Sequence, residues 1–321
     1  TMVKIITEFC QNHNGNFENL KKMVEEAAKA GATHGKIQNI YSKNLTFRPQ
    51  FENGLELNGI IHAINRPYEA EYKRLKNLEL SEKNNKEFIN ICNDNGLIPM
   101  TTIFVKGDSE NLKKIGFKSI KIASYDCASF QLIREIKEYF SEIVISTGAT
   151  FDEEIIKTSQ ILNESEIDFT FLHAITIYPT PLNEVNLNRM NFLRNFTKSV
   201  GYSDHTETEK NGIDAVLVSI FLGANYIERH FTILNPNETR DGKVSVGPEH
   251  IKQIAEFSVL NKESQKEYLD SQILNWKNML GSEKRSLSKI ELLNRDYYRG
   301  RFAKVRDGYG NSSMNYNYEE I

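Results

Sequence analysis

Two histidines stand at the ends of strand-like segments and could bind a metal ion. His205 closes the run SVGYSDH (199–205), and His230 closes the run NYIERH (225–230). If the two runs form neighbouring parallel strands, their imidazoles come close enough to bind one divalent cation. With only two protein ligands, water and a substrate oxygen would complete the coordination, as in a catalytic site. The spacing alone also allows two histidines that make ordinary hydrogen bonds.

Two lysines lie inside segments that are typical of buried strands. Lys36 belongs to ATHGKIQ (32–38), and Lys121 belongs to SIKIASY (119–125). Strands of a buried parallel sheet are mostly apolar, and an unpaired buried ammonium group is very unfavourable. We therefore expect an anion between these strands, although structural ion pairs, for example of Lys36 with Glu8, would meet the same requirement. Hydroxyl groups at further strand ends fit a phosphate or carboxylate pocket; they belong to Ser124, Ser146 and Ser203.

Alternating strand-like and helix-like patterns predict how these residues are positioned. The strand-like runs lie at 4–9, 32–38, 96–104, 119–125, 142–148, 168–175, 199–204 and 225–231. The clearest helical patterns lie at 17–30, 81–95, 152–162 and 206–222. Eight βα repeats predict an α/β fold, the (β/α)8 or TIM barrel, whose active site lies at the carboxyl ends of the strands. A doubly wound open sheet is the alternative, but the Gly-rich turn typical of that fold does not follow the first run.

The pattern changes towards the end of the chain, which predicts the domain organisation. We expect the barrel to occupy residues 1–260, with 41–79 as an irregular loop over its mouth. Residues 261–296 are rich in Lys, Glu, Ser and Leu, and the last residues are polar and aperiodic. The segment 261–321 is therefore predicted to be a helical extension with a polar tail.

Composition limits the classes of function. The chain has 321 residues, of which 39% are hydrophobic and 26% charged, and its net charge of −3 does not favour a nucleic-acid surface. We expect no membrane span and see no signal peptide, since TMVKIITEF enters a strand-like run directly. The three cysteines are widely spaced, which favours a reducing compartment, and so a cytoplasmic protein.

Several long segments resemble the sialic acid synthase family. They are TEFCQNHNGNFENLKKMVEEAAKAGATHGKIQ, KIASYDCASFQLI, ISTG, FLHAITIYPTPLNEVNL, GYSDHT and IERHFT. The resemblance covers roughly residues 3 to 295. It implies a (β/α)8 barrel that condenses phosphoenolpyruvate with an N-acetylmannosamine-type sugar, giving a nonulosonic acid and phosphate with C–O cleavage.

The resemblance also implies roles for individual residues. His205 and His230 match the ligands of Mn²⁺, for which Mg²⁺ or Co²⁺ could substitute. The expected phosphoenolpyruvate site consists of Lys36, Lys121, Ser124, Ser146, Ser203 and Thr176, and the expected sugar site of Gln38, Tyr178 and Asp241. Either Glu8 or Asp126 is expected to take a proton from the water that attacks C2.

Departures from the family pattern lie on the sugar side. Asp126 stands where Glu is usual, Thr176 where Asn is common, and Gly242 follows Asp241 where a larger polar residue is common. We therefore expect an unusual sugar. The alternatives are a synthase for a different or phosphorylated aldose, and a catalytically silent barrel that serves as a subunit or sugar sensor.

The C-terminal segment is the largest departure. Family members usually continue into an antifreeze-like domain, which reaches across a dimer and supplies an arginine to the partner's sugar site. The complete domain is not expected here, because the chain stops soon after RGRFAKVRDGYG. Arg299, Arg301 or Arg306 could substitute for that arginine, and the resemblance allows a homodimer.

Overall fold

Eight parallel strands form a closed barrel in the computed structural model, which describes residues 2–165, 167–306 and 314–319. The strands are β1 Lys4–Cys10, β2 His34–Gln38, β3 Leu55–Leu57, β4 Ile60–Ala63, β5 Ile98–Thr102, β6 Ser119–Ile122, β7 Glu142–Ser146, β8 Phe169–Ala174, β9 Ser199–Asp204, β10 Tyr226–His230, β11 Ala303–Val305 and β12 Met314–Tyr316. The barrel order is β1-β2-β5-β6-β7-β8-β9-β10, and β10 closes it against β1. The predicted (β/α)8 barrel is confirmed, and each predicted strand-like run overlaps one barrel strand.

Helices alternate with the barrel strands, and further helices lie in the segment after β2 and in the C-terminal extension. They are α1 Phe17–Ala30, α2 Tyr68–Lys76, α3 Glu82–Asp94, α4 Ser109–Ile115, α5 Phe130–Ile136, α6 Asp152–Asn163, α7 Arg189–Leu193, α8 Thr208–Asn211, α9 Asp214–Phe221, α10 Pro248–Ser258, α11 Lys262–Gln272 and α12 Lys289–Tyr298. The first helix illustrates why the local sequence folds this way. The Asn16 side chain accepts hydrogen bonds from the first-turn amides of α1, and Gly31 ends the helix at φ 103°.

Two predicted segments differ from the structure. The expected loop at 41–79 contains the hairpin β3–β4 and the helix α2. The expected helix at 206–222 is divided into α8 and α9, because Gly212 adopts φ 51° and ψ −121°, which are not helical. Helical spacing of apolar residues continues across this break, so periodicity did not reveal it.

The barrel interior changes from apolar to polar along the strands. An inward-facing apolar layer is formed by Ile6, Met100, Val144, Leu172 and Tyr226. Side chains two residues apart on a strand share a face. Two positions further along four of these strands, the inward side chains are therefore Glu8, Thr102, Ser146 and Glu228. The apolar layer thus forms the floor of a polar site at the carboxyl ends of the strands.

The C-terminal extension packs against the barrel mouth. On α12, Nδ2 of Asn294 donates a hydrogen bond of 2.7 Å to the carbonyl oxygen of Thr176. The amide of Thr46 donates to the carbonyl oxygen of Arg301 over 3.0 Å, which joins the extension to the segment after β2. The predicted boundary at residue 260 falls between α10 and α11 and stays a prediction. In the described part of the chain, no helix combines the length and apolar character needed to cross a membrane.

Candidate active site

A cavity of about 400 Å³ opens at the carboxyl ends of the barrel strands. Nearly all of the predicted site residues line it: Glu8, Lys36, Gln38, Lys121, Ser124, Ser146, Thr176, Tyr178, Ser203, His205, His230 and Asp241. These residues are distant in sequence, and the closed barrel brings them together. Asp126 is the one predicted residue that is not part of this lining, as far as the described residues show.

Lys36 and Lys121 lie in a cluster with two carboxylates. Nζ of Lys36 contacts Oε2 of Glu8, lies 3.2 Å from Oε2 of Glu228 and donates to Oγ1 of Thr102 over 3.2 Å. Nζ of Lys121 lies 3.3 Å from Oε1 of Glu228. The pair of Lys36 and Glu8 is the structural ion pair that the sequence allowed as an alternative. Both lysines nevertheless line the cavity.

The two lysines differ in how many N–H donors remain available to a ligand. An ammonium group has three N–H donors. Lys36 has three oxygen neighbours within 3.2 Å, from Glu8, Glu228 and Thr102, whereas Glu228 is the one protein partner of Lys121 among the described residues. Lys121 therefore has donors available to a bound anion.

Burial and charge shift the pKa values of this cluster in different directions. Burial outweighs the attraction of Glu228 and lowers the pKa of Lys121 to about 8. Burial also acts on Lys36, but the charges of Glu228 and Glu8 outweigh it and raise the pKa of Lys36. Burial alone would raise the pKa of Glu228, but the charges of Lys121 and Lys36 hold that pKa far below its usual value. Lys121 is thus the member whose charge changes near pH 8.

Two buried hydroxyl groups of the cavity lining lack hydrogen-bond partners within the described residues. They are Oγ of Ser146 and Oγ1 of Thr176. A buried polar atom without a protein partner is typical of a site that holds a ligand or water. Next to them, Oγ of Ser124 accepts a hydrogen bond of 3.1 Å from the amide of Gly148. A Cβ at position 148 would lie 2.9 Å from Oγ of Ser124 and 2.8 Å from Cγ2 of Thr176, so this approach requires glycine.

The strand ends bring His205 and His230 together. Their ring centroids lie 5.3 Å apart, and the two residues are only 4% and 7% exposed. No donor or acceptor in the described segments bonds to Nδ1 of His205. Tyr178 stacks on His205 with centroids 4.0 Å apart. Burial and the neighbouring His230 hold the pKa of His205 well below its usual value, so its imidazole is neutral, the form that binds metal ions.

A second group of potential metal ligands includes His230. Donor atoms of Cys10, His230 and Asp241 all lie within 4.8 Å of one another. His205 is not a member of this group, and Asp241 was predicted to contact the sugar. Burial, followed by the negative charges of Asp241 and Glu8, raises the pKa of the Cys10 thiol. Sequence reasoning gave Cys10 no role.

Asp126 lies behind the cavity wall. Its Oδ1 accepts hydrogen bonds from Oγ of Ser129 over 2.7 Å and from Nδ2 of Asn317 over 3.0 Å. Burial raises the pKa of its carboxyl group. These contacts connect the β6 end to the C-terminal segment, and the catalytic role of Asp126 stays a prediction.

Arginines surround the outer part of the cavity. The lining includes Arg66, Arg74, Arg240 and Arg301. Three of them contact the buried Glu71: Arg301 directly, Arg74 at 2.7 Å and Arg240 at 3.7 Å. Although burial alone would raise the pKa of Glu71, these guanidinium groups hold it at about 2.

Of the three arginines suggested from the C-terminal sequence, Arg301 lines the cavity. Arg299 lies 3.6 Å from Glu154, and Arg306 pairs with Glu319 at 2.6 Å. Within the described chain, neither Arg299 nor Arg306 belongs to the cavity lining. The extension therefore contributes one arginine to the site.

Other cavity residues were missed by sequence reasoning. Glu228 is the most important, since it contacts both buried lysines. The sequence did contain a signal for Glu228. This residue precedes His230 by two positions on a strand, so both side chains share a face. Asn294 and Tyr298 of α12 also line the cavity, and local sequence gave no signal for them.

Comparisons with known proteins agree with this geometry. A sequence profile described as the NeuB family matches residues 23–267. An N,N'-diacetyllegionaminic acid synthase of Campylobacter jejuni is 32% identical over 254 residues, covering 78% of this chain and 73% of that protein. A pseudaminic acid synthase of the same species is 29% identical over 260 residues, covering 79% and 72%.

The fold is shared with solved structures. An N-acetylneuraminic acid (sialic acid) synthetase from Leptospira borgpetersenii has a TM-score of 0.69 at 23% identity, covering 92% of this chain and 91% of that one. This likeness concerns the barrel architecture. The profile match extends over more than half of the chain and includes seven of the eight barrel strands. The protein belongs to the NeuB family, the family of the sialic acid synthases.

Proposed function

We propose that this enzyme condenses phosphoenolpyruvate with an N-acetylmannosamine-type aldose, giving a nonulosonic acid and inorganic phosphate. The observation that carries the proposal is the set of open donors at the strand ends: Lys121 and the unpartnered hydroxyls of Ser146 and Thr176. These groups line one cavity and suit an anionic group such as phosphate or carboxylate. Relatives named as legionaminic and pseudaminic acid synthases support the same reaction class.

The charge of the pocket decides how phosphoenolpyruvate would bind. Lys36 and Lys121 are balanced by Glu8 and Glu228, so the formal charges of the cluster sum to zero. Binding of an anion therefore depends on directed hydrogen bonds from Lys121 and the hydroxyls, and on any cation that adds positive charge. Lys36, which lies within ion-pair distance of Glu8 and Glu228, orients the two carboxylates.

The residues present suit a divalent cation in the same cavity. The unpartnered Nδ1 of His205 and the donors of His230 supply the imidazoles that the sequence predicted. When bound there, Mn²⁺ or another divalent ion would polarise the aldehyde oxygen of the open-chain sugar as a Lewis acid. Which metal serves in this role is part of the proposal.

The carboxylates fit the charge that develops during the reaction. As C3 of phosphoenolpyruvate attacks the aldehyde carbon, C2 becomes positively charged, water adds to C2, and phosphate leaves with cleavage of the C–O bond. The ionised Glu228 would stabilise positive charge at C2. Glu8 lines the cavity and Asp126 does not, which supports Glu8 as the base that accepts a proton from water. Oε1 of Glu8 is held by the amide of Cys10 at 2.7 Å.

Phosphate release tests the proposal directly. Protein loaded with Mn²⁺ is mixed with phosphoenolpyruvate and N-acetylmannosamine or related aldoses, and phosphate and the sugar acid are measured by colorimetry and mass spectrometry. We expect aldose-dependent release, which Lys121→Met abolishes. Lys118→Met is the matched control, because Lys118 is exposed at the opposite end of the same strand region. If none of the aldoses in the panel gives phosphate release, a catalytically silent barrel is favoured.

A phosphorylated acceptor is a second candidate, and the arginines favour it. Arg66, Arg74, Arg240 and Arg301 line the outer cavity, and Glu71 is the carboxylate that the last three contact. Guanidinium groups are well suited to bind phosphate. If the acceptor is phosphorylated, kcat/KM is higher for the phosphorylated aldose, and Arg240→Ala reduces this preference. Equal activity of Arg240→Ala and the wild type on both acceptors would remove this candidate.

Location and assembly are also part of the proposal. A cytoplasmic location is supported by the three buried, unpaired cysteines Cys10, Cys92 and Cys127. A homodimer is carried by the family resemblance alone. Sedimentation velocity of the purified chain distinguishes a dimer from a monomer.

A further inference from the structure

We infer that Cys10 is a ligand of the divalent cation, in a thiolate, imidazole and carboxylate site with His230 and Asp241. The inference deepens the proposed function, on which it rests for the role of the ion. It changes the ligand set, because the sequence predicted His205 and His230 as the metal ligands and Asp241 as a sugar contact. It also gives a role to a cysteine that the reaction itself does not use.

The distances between the donor atoms suit one ion. Sγ of Cys10, a ring nitrogen of His230 and a carboxylate oxygen of Asp241 lie within 4.8 Å of one another. An ion with ligand bonds of about 2.0–2.3 Å holds opposite donors roughly 4–4.6 Å apart. The three donors therefore reach a common ion with small side-chain movements. Sulfur, nitrogen and oxygen donors from three separate parts of the chain converge at this point.

The end of β1 directs Cys10 towards this point. The pairing of β1 with β2 shifts its register between Glu8 and Cys10, which is a bulge. Cys10 adopts φ 43°, a left-handed conformation that residues with a side chain rarely adopt. Its amide is held by Oε1 of Glu8 at 2.7 Å. In a regular strand, residues 8 and 10 would share the inward face by alternation alone, but here the carboxylate of Glu8 fixes the turn that presents the thiol.

The state of His205 supports a ligand at this position independently. The residue is 4% exposed, and Nδ1 has no partner in the described part of the chain. Its ring lies beside that of His230, with centroids 5.3 Å apart. A buried imidazole nitrogen without a partner, next to three convergent donors, is explained by an ion in the shared space.

The alternative is that Cys10 is an ordinary buried cysteine without a ligand role. Free cysteines are among the most buried residues. Cys127 is such a residue: it is buried, and burial raises the pKa of its thiol to about 12. Among the described residues, Cys127 belongs to no cluster of three or more potential metal ligands. Cys127 is therefore the matched control for Cys10.

A thiolate ligand has a consequence for metal selectivity. Thiolates favour softer ions such as Zn²⁺, whereas imidazole, carboxylate and water ligands accommodate Mn²⁺ and Mg²⁺. We therefore expect the wild-type protein to bind Zn²⁺ and Co²⁺ much more tightly than Mn²⁺. Replacing Cys10 should narrow this difference, since the loss of sulfur weakens the softer ions most.

Cobalt spectroscopy on the full chain tests the inference. Titration of the metal-free protein with Co²⁺ should produce a thiolate-to-cobalt charge-transfer band in the near ultraviolet, in the wild type and in Cys127→Ala. The band should be absent in Cys10→Ala and Cys10→Ser. Competition with a chromophoric chelator should show Zn²⁺ affinity reduced at least roughly tenfold in Cys10→Ala and in Asp241→Asn. Thermal unfolding of the metal-free variants checks that they fold, and Cys10→Ser replaces Cys10→Ala if the latter does not.

The outcomes separate this inference from the proposed function. Absence of the near-ultraviolet band in the wild type, or an unchanged Zn²⁺ affinity in Cys10→Ala, would overturn the thiolate ligand whether or not the enzyme releases phosphate. A Cys10-dependent band supports the ligand set even in a preparation without synthase activity, because neither readout requires turnover. Synthase activity with a Cys10-independent cobalt spectrum would return the site to the two histidines.

Discussion

The affinity for phosphoenolpyruvate should fall as the pH rises above 8, because Lys121 loses its charge. Burial lowers the pKa of Lys121 to about 8, and the groups that act on it are Glu228, Lys36 and Glu8. A lysine is charged below its pKa, so Lys121 is charged at pH 7 and mostly neutral at pH 9. The second proton of a phosphate monoester dissociates near pH 6, so the ligand keeps its charge over this interval.

The magnitude follows from the charged fraction. About nine tenths of Lys121 is charged at pH 7 and about one tenth at pH 9, so an anion that binds the charged form loses about tenfold in affinity, or about 1.4 kcal/mol. Lys121→Arg should remove this dependence, because a guanidinium group keeps its charge at pH 9. Lys121→Met should bind about 10- to 100-fold more weakly at pH 7, since a charge-assisted hydrogen bond contributes about 1.5–3 kcal/mol.

Isothermal titration calorimetry on metal-free protein measures these affinities without ionisation of metal-bound water. The control Lys118→Met should follow the wild-type profile, because Lys118 is exposed and outside the cavity lining. A wild-type affinity that is the same at pH 7 and pH 9 contradicts the role of Lys121, as does an unchanged slope in Lys121→Arg.

Three further changes test other parts of the site. Glu8→Gln should lower kcat by about 10²- to 10⁴-fold, as expected for loss of a general base. Asp126→Asn should change kcat less than roughly tenfold. If steady-state kinetics show the larger loss of kcat in Asp126→Asn, Asp126 is the base. Gly148→Ala should weaken binding of phosphoenolpyruvate, because its Cβ would lie 2.8 Å from Cγ2 of Thr176; calorimetry with unchanged affinity would contradict the close packing. Glu71→Gln should lower the free energy of unfolding in urea. The pKa of Glu71 is about 2, below its usual 4.5, so its ionised form stabilises the fold above pH 4.5. The difference in unfolding free energy between wild type and variant should therefore disappear as the pH falls towards 2. A difference that stays constant with pH would refute this reasoning.

The barrel was predictable because its strands carry a strong local signal. Short β-branched runs alternate with amphipathic runs, and α1 matches the predicted range 17–30. Most of the site followed from one rule, that the carboxyl ends of parallel strands in a barrel meet. The rule places His205, His230 and the two buried lysines in one cavity without any knowledge of the helices between them.

The residues that escaped prediction depend on features that sequence patterns do not encode. Sγ of Cys10 lies within 4.8 Å of donor atoms of His230 and Asp241 at a bulge that ends β1, and the sequence pattern did not reveal this bulge. Arg301 was one of three arginines that the sequence suggested without choosing among them, and it reaches the cavity because the extension pairs with the segment near Thr46, a contact between residues 255 positions apart. Asp126 lies outside the cavity lining, where Asn317 and Ser129 donate hydrogen bonds to its carboxylate, and its predicted role as a base stays a prediction.

The division of the cavity wall between barrel and extension has a consequence for how such enzymes diversify. The floor is built from strand ends whose positions the closed sheet fixes, whereas Asn294, Tyr298 and Arg301 come from one short stretch that is continuous in sequence. Mutation or recombination within that stretch can remodel the outer cavity without touching the barrel hydrogen-bond network. New acceptors can thus be acquired while the bond-forming machinery is inherited intact.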